Sequence, residues 1–229
     1  MSDSESVSTR TDWPFDAVVI GASAGGVELL GALLPRLPAA FPSAVLIVQH
    51  LRASTRALYE LYAPRCAIRV CEAADKQPIE AGTVYFAPPD YHLLVEADMT
   101  CALSVDDPVQ YSRPSIDVLF ESAAWAYRSR VLGILLTGAS DDGAAGMTAI
   151  RNAGGATWAQ LPSTARSVTM PLSAISRGVV DEVLTPDDIA HRLAHLCATP
   201  DLTDNNIPPH PDARAGTTEQ SKGASHRHE

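Results

Sequence analysis

Short, almost wholly apolar runs alternate along this chain with segments whose apolar residues recur every three or four positions. Ala17–Ile20, Ala44–Val48 and Val131–Thr137 are the clearest runs. Continuous apolar character, without polar alternation, predicts strands buried on both faces. Helical spacing predicts helices over Val27–Leu34, Thr55–Ala63, Ser115–Tyr127, Gly143–Ala153 and Pro186–Leu196. Pro114 suits the opening of the third, and the Gly154–Gly155 pair the end of the fourth. Further strands are expected at Thr83–Ala87, His92–Glu96, Cys101–Val105, Ala156–Ala159 and Val179–Leu184. Such alternation predicts an α/β fold: a doubly wound, mainly parallel sheet in a Rossmann-like three-layer arrangement. The strand-rich stretch at about residues 83–105 is expected to form an antiparallel hairpin at one edge.

The ends read differently. Residues 1–15 are rich in Ser, Thr and Asp and are expected to be a flexible arm. Residues 199–229 have almost no large apolar side chains and are expected to be a disordered tail, which leaves 16–198 as one folded domain. Seventeen basic against 27 acidic residues give a formal net charge of -10, which argues against nucleic acid as a partner. No basic segment precedes an apolar stretch at the start, and the longest apolar runs fall far short of a membrane span. The reading is a cytoplasmic protein without membrane insertion. Cys66, Cys71, Cys101 and Cys197 show no CxxC pair and no zinc-site spacing, so reduced thiols and no metal are expected.

In an open parallel sheet the ligand site lies beyond the carboxyl ends of the strands. The first strand runs into Gly21-Ala22-Ser23-Ala24-Gly25-Gly26 and a helix, the G-x-S-x-G arrangement of a nucleophile elbow. A glycine-rich turn that merely caps a helix or meets a phosphate would read the same way. The second strand ends in Val48-Gln49-His50, which puts an imidazole on the same edge. His92, His191 and His195 are read as structural or solvent-facing. The third strand end, Thr137-Gly138-Ala139-Ser140-Asp141-Asp142-Gly143, offers two acids. Either acid caps a helix in the plainest reading; either one would orient a histidine in a Ser-His-Asp triad. The order Ser…His…Asp differs from the Ser…Asp…His order of α/β-hydrolases.

Taken together, VVIGASAGG, IVQHL, AGTVYFAPPDYHLLV, RPSIDVLFESAA and GILLTGASDDGAAGM resemble the catalytic domain of CheB-type protein-glutamate methylesterases, over about residues 16–197. The resemblance implies hydrolysis of glutamate methyl esters on chemoreceptor-type proteins, with deamidation of selected glutamines, in chemotaxis or related signalling. It places the nucleophile on Ser23, the base on His50 and the acid on Asp142 rather than Asp141. Backbone amides at Ala24, Gly25 and Ala139 are then the oxyanion-hole candidates, and no cofactor is needed.

The chain departs from the family pattern at Ala24, at Ala139-Ser140, at Arg52-Ala53-Ser54 and at Leu161-Pro162, all on loops that shape access. About 15 residues precede the first strand, too few for the usual phospho-receiver domain. The expectation is constitutive action or control by a separate regulatory protein. Two other readings are a same-mechanism hydrolase of another ester or amide, and a non-catalytic signalling module with this fold. Nucleotide binding is disfavoured, because His50 stands where the second strand would need an acid.

Overall fold

Two strands at the centre of the chain's computed structural model are buried along their whole length: β1 (Ala17–Ala22) and β2 (Ala44–Gln49). The structure describes residues 14–51 and 58–195. Most of the expected arm, the 199–229 tail, Cys197, Arg52-Ala53-Ser54 and the start of the 55–63 helix lie outside the described residues. Around the central pair stand β3 (Arg69–Glu72), β4 (Thr83–Phe86), β7 (Val131–Leu135), β8 (Ala156–Gln160) and β9 (Glu182–Leu184). The order β3-β4-β2-β1-β7-β8-β9 makes one seven-stranded sheet, and its pairings are parallel.

Side-chain alternation divides the interior in two. Val18, Ile20, Val45 and Ile47 face a core closed by α1 (Gly26–Leu33), α2 (Leu58–Tyr62) and α6 (Pro186–His195), through Leu30, Leu58, Ile189 and Leu193. Ala17, Val19, Leu46 and Val48 face the other, closed by α3 (Ile116–Tyr127), α4 (Ala144–Asn152) and α5 (Thr169–Ser176), through Leu119, Phe120, Met147 and Met170. Phe15, expected in the mobile arm, instead packs on the first core.

The expected antiparallel hairpin is present: β5 (His92–Val95) and β6 (Cys101–Ser104) pair antiparallel, as a two-stranded sheet of their own. β4 is not part of the hairpin; it sits between β2 and β3. Leu93 and Val95 turn into the core with α3, which is where the hairpin buries its apolar face. Two elements escape the hydrophobic pattern. In β3 only Val70 is buried, and α5 carries Pro171 in its first turn, where a missing N–H costs little.

Helices α3 and α4 lie close enough that a Cβ on Gly146 would stand 2.4 Å from Cβ of Phe120. Neither backbone can yield without opening the helix pair. Gly146→Ala is therefore expected to lower stability by about 2 kcal/mol, seen as a Tm drop of roughly 4–8 °C. An unchanged melting curve would refute the close approach.

Candidate active site

Register brings the three strand ends together. Ala22 pairs with Gln49 and Gly21 with Leu135, so Ser23 and His50 leave the sheet side by side, next to the β7 loop. The backbone ladder continues past the strands: the Ser23 N–H donates to Thr137 O at 2.9 Å and the His50 N–H to Ala22 O at 2.9 Å. Strand order reverses direction at β1, with β2 on one side and β7 on the other, the switch point at which open α/β sheets hold ligands.

Asp142 is wholly buried, and four donors reach its carboxylate. Oδ2 accepts from His50 Nε2 at 2.8 Å and from the Ile116 N–H at 2.7 Å. Oδ1 accepts from Ser115 Oγ at 2.8 Å and from the Asp117 N–H at 2.9 Å. Burial pushes this carboxyl up, but the imidazole and the N–H groups of Asp117 and Ile116 outweigh it and hold it below the ordinary aspartate range. An ionised carboxylate only accepts, so the hydrogen on His50 Nε2 points at Asp142. The lone pair is left on Nδ1, and that nitrogen can take a proton. Asp141, the other acid, is exposed.

Helix α3 is thus capped from a distant loop. Ser115 holds its N-cap position but makes no cap of its own, because its hydroxyl is spent on Asp142. The reverse holds at α4, whose N-cap is Gly143. There Asp117 Oδ1 accepts from the N–H groups of Gly143 at 2.8 Å and Gly146 at 2.7 Å. Each acid therefore caps the other's helix, and the plain expectation that Asp141 or Asp142 caps its own helix is replaced. Caps of this kind are worth about 1 kcal/mol each.

Other positioning groups were not visible in the sequence. Gln49 Nε2 donates to Ser23 O at 2.8 Å and to His50 O at 2.9 Å, tying nucleophile and imidazole backbones together. Its only signal was a buried amide closing an apolar strand. His92 is buried; its Nδ1 accepts from the Ser115 N–H at 3.1 Å and its Nε2 faces Asp107 O at 3.2 Å. It fixes the loop from which Ser115 reaches Asp142. His191 and His195 are exposed on α6.

Ser23 lies half-buried, Ala24 is exposed, and Gly25 takes the left-handed conformation (φ 89°) that starts α1. Among the described residues the N–H groups of Ala24, Gly25 and Ala139 meet no protein acceptor. Thr137 Oγ1 donates to Ala24 O at 2.8 Å and accepts from the Ser167 N–H at 2.9 Å, which holds the elbow to the loop beyond β8. Among the described residues no His, Cys, Asp and Glu cluster could hold a metal, and no helix is long and apolar enough to cross a membrane.

Burial pushes Asp117 up to about 6; the Gly146 and Gly143 N–H groups oppose this and the Asp142 charge adds to it. Between the ordinary value of 3.8 and about 6 the folded protein keeps a proton that the unfolded chain has lost, so this group's contribution to stability falls as pH rises across that window. An asparagine keeps an acceptor for both N–H groups without the charge. The Tm of Asp117→Asn minus that of the wild type is expected to rise from pH 4 to pH 7 and then level off. A constant difference would refute this.

Residues 18–193 match the CheB methylesterase family model. A Leptospira interrogans protein named for protein-glutamate methylesterase and protein-glutamine glutaminase activities is 44% identical over 183 residues, covering 80% of this chain and 95% of that protein. The protein-glutamate methylesterase/protein-glutamine glutaminase of Symbiobacterium thermophilum is 42% identical over 178 residues, covering 77% of this chain; the match spans only 49% of that longer protein. The crystal structure of the Thermotoga maritima CheB methylesterase catalytic domain superposes with a TM-score of 0.76 at 33% identity, covering 80% of this chain and 98% of that one. With fold, switch-point site and kinship in agreement, the chain belongs to the CheB methylesterase family.

Proposed function

We propose that this protein is a serine hydrolase of glutamate methyl esters on proteins, with Ser23 as nucleophile, His50 as base and Asp142 as its orienting acid. The observation that carries the reading is the 2.8 Å contact between His50, one residue beyond β2, and the buried, ionised Asp142, with β2 lying beside the strand that ends at the Ser23 elbow. A capping acid would not need an imidazole there. Relatives named for methylesterase and glutaminase activities support the substrate class, and the family resemblance points to chemoreceptor-type proteins within it.

The chemistry is two-step acyl transfer. Ser23 Oγ attacks the ester carbonyl while His50 Nδ1 takes its proton. The tetrahedral oxyanion faces the free N–H groups at Ala24, Gly25 and Ala139, where one donor is typically worth about 3 kcal/mol of barrier. The proton passes to the departing methoxide and methanol leaves. Water, losing its proton to the same nitrogen, then releases the glutamate carboxylate and restores Ser23. With a glutamine substrate the departing group is ammonia. Throughout, Asp142 keeps the imidazole in one tautomer and balances its charge when protonated.

Methanol release from a methylated chemoreceptor fragment tests this. Ser23→Ala is expected to abolish it, and Asp142→Asn to lower turnover by roughly 10⁴. Asp141→Asn should leave it within a factor of about two, as expected for an exposed side chain away from the chemistry. Full turnover in Ser23→Ala would refute the mechanism, and loss only in Asp141→Asn would reassign the acid.

A further inference from the structure

A cavity of about 270 Å³ opens beside His50, lined by Leu51, Pro108, Tyr111, Arg113 and Pro114 among others. Its rim is a tight reversal in which the Ser112 N–H donates to Val109 O at 2.9 Å and the Val109 N–H to Ser112 O at 3.2 Å. The two central residues, Gln110 (φ 48°) and Tyr111 (φ 62°), are both left-handed. Turns of this shape are ordinarily filled by Asn-Gly, because a side chain with a Cβ is strained there. A bulky tyrosine is a poor choice for the turn itself. It packs on nothing, since its relative exposure is 103%.

The turn is nevertheless held firmly, and from the site. Gln110 Nε2 donates to Asp117 Oδ2 at 3.0 Å, and the backbone N–H of Asp117 donates to the Asp142 carboxylate. Arg113 Nη1 closes the same loop by donating to Val105 O at 2.9 Å and Asp106 O at 3.0 Å. Strain that a local anchor maintains, at the mouth of a cavity that His50 lines, marks a functional constraint. The protein keeps an aromatic ring, fully in water, where glycine would sit more comfortably.

We infer that Tyr111 is a specificity-determining residue, whose ring packs against the polypeptide flanking the methyl-esterified glutamate. The inference rests on the methylesterase reading above. The ester must reach Ser23 and His50, so the chain that carries it crosses the rim of the cavity that His50 lines. Tyrosine supplies a large, stiff, amphipathic contact face at small entropic cost, and it is enriched among the residues that dominate protein recognition. A small ester needs only Ser23 and His50 and does not reach the ring. Tyr111 therefore favours protein-borne esters without touching the reacting atoms.

The test compares wild type, Tyr111→Gly and Tyr111→Phe on a methylated chemoreceptor fragment and on a chromogenic acetate ester, with melting curves for each. In Tyr111→Gly, KM for the fragment is expected to rise about tenfold at constant kcat. Hydrolysis of the acetate ester should be unchanged, and Tm equal or higher because the left-handed strain is relieved. Tyr111→Phe should retain most of the wild-type KM. An unchanged KM for the fragment in Tyr111→Gly overturns the inference. So does an equal loss on both esters, or a lowered Tm, since either would give the tyrosine a structural role. If the wild type cleaves the acetate ester but releases no methanol from the fragment, the methylesterase reading fails and this inference falls with it.

Discussion

The buried carboxylate of Asp142 is the group on which the rest of this architecture depends. Among the described residues no lysine or arginine pairs with it, and it can stay ionised in the interior because four donors surround it. Two of them are the first N–H groups of α3, which would otherwise lack partners and which carry the positive end of the helix dipole. A single charge thus completes a helix and orients an imidazole. The orienting carboxylate stands in a loop, but the first turn of α3 holds it in place.

Crossing the caps of α3 and α4 has a mechanical effect that separate caps would lack. Asp142 belongs to the loop before α4 but holds α3, and Asp117 belongs to α3 but holds α4. Neither helix can pull away without exposing the N-terminus of both. The close contact at Gly146 and Phe120 is the packing counterpart of that exchange. Two acids so near one another are also in tension. The ionised Asp142 adds to the burial that keeps Asp117 protonated at higher pH than an ordinary aspartate.

Much of this was legible in the chain. Apolar runs followed by Ser23, by His50 and by Asp141-Asp142 put three chemical groups on one sheet edge, and the doubly wound fold followed from the same alternation. What stayed hidden has identifiable causes. β3 buries one residue of four, so it leaves almost no hydrophobic signal. The strand-rich stretch at residues 83–105 read as one hairpin unit, yet β4 joins the main sheet between β2 and β3. Asp117 and Ser115 act on a loop some 25 residues away in the chain, and caps read from sequence are sought among neighbours. Gln49 gave no more than a polar residue at the end of an apolar strand.

Gln49 also bears on how such a site is governed. Both hydrogens of its amide are engaged by the carbonyls of Ser23 and His50, while Oε1 is buried without a partner among the described residues. The seam between β1 and β2 is therefore stitched at the point where the chemistry emerges. Prising nucleophile and base apart would strand two carbonyls in a dry interior. Shielding the opening leaves every internal bond in place. A molecule that silences this enzyme therefore has an easier task as a cover than as a lever.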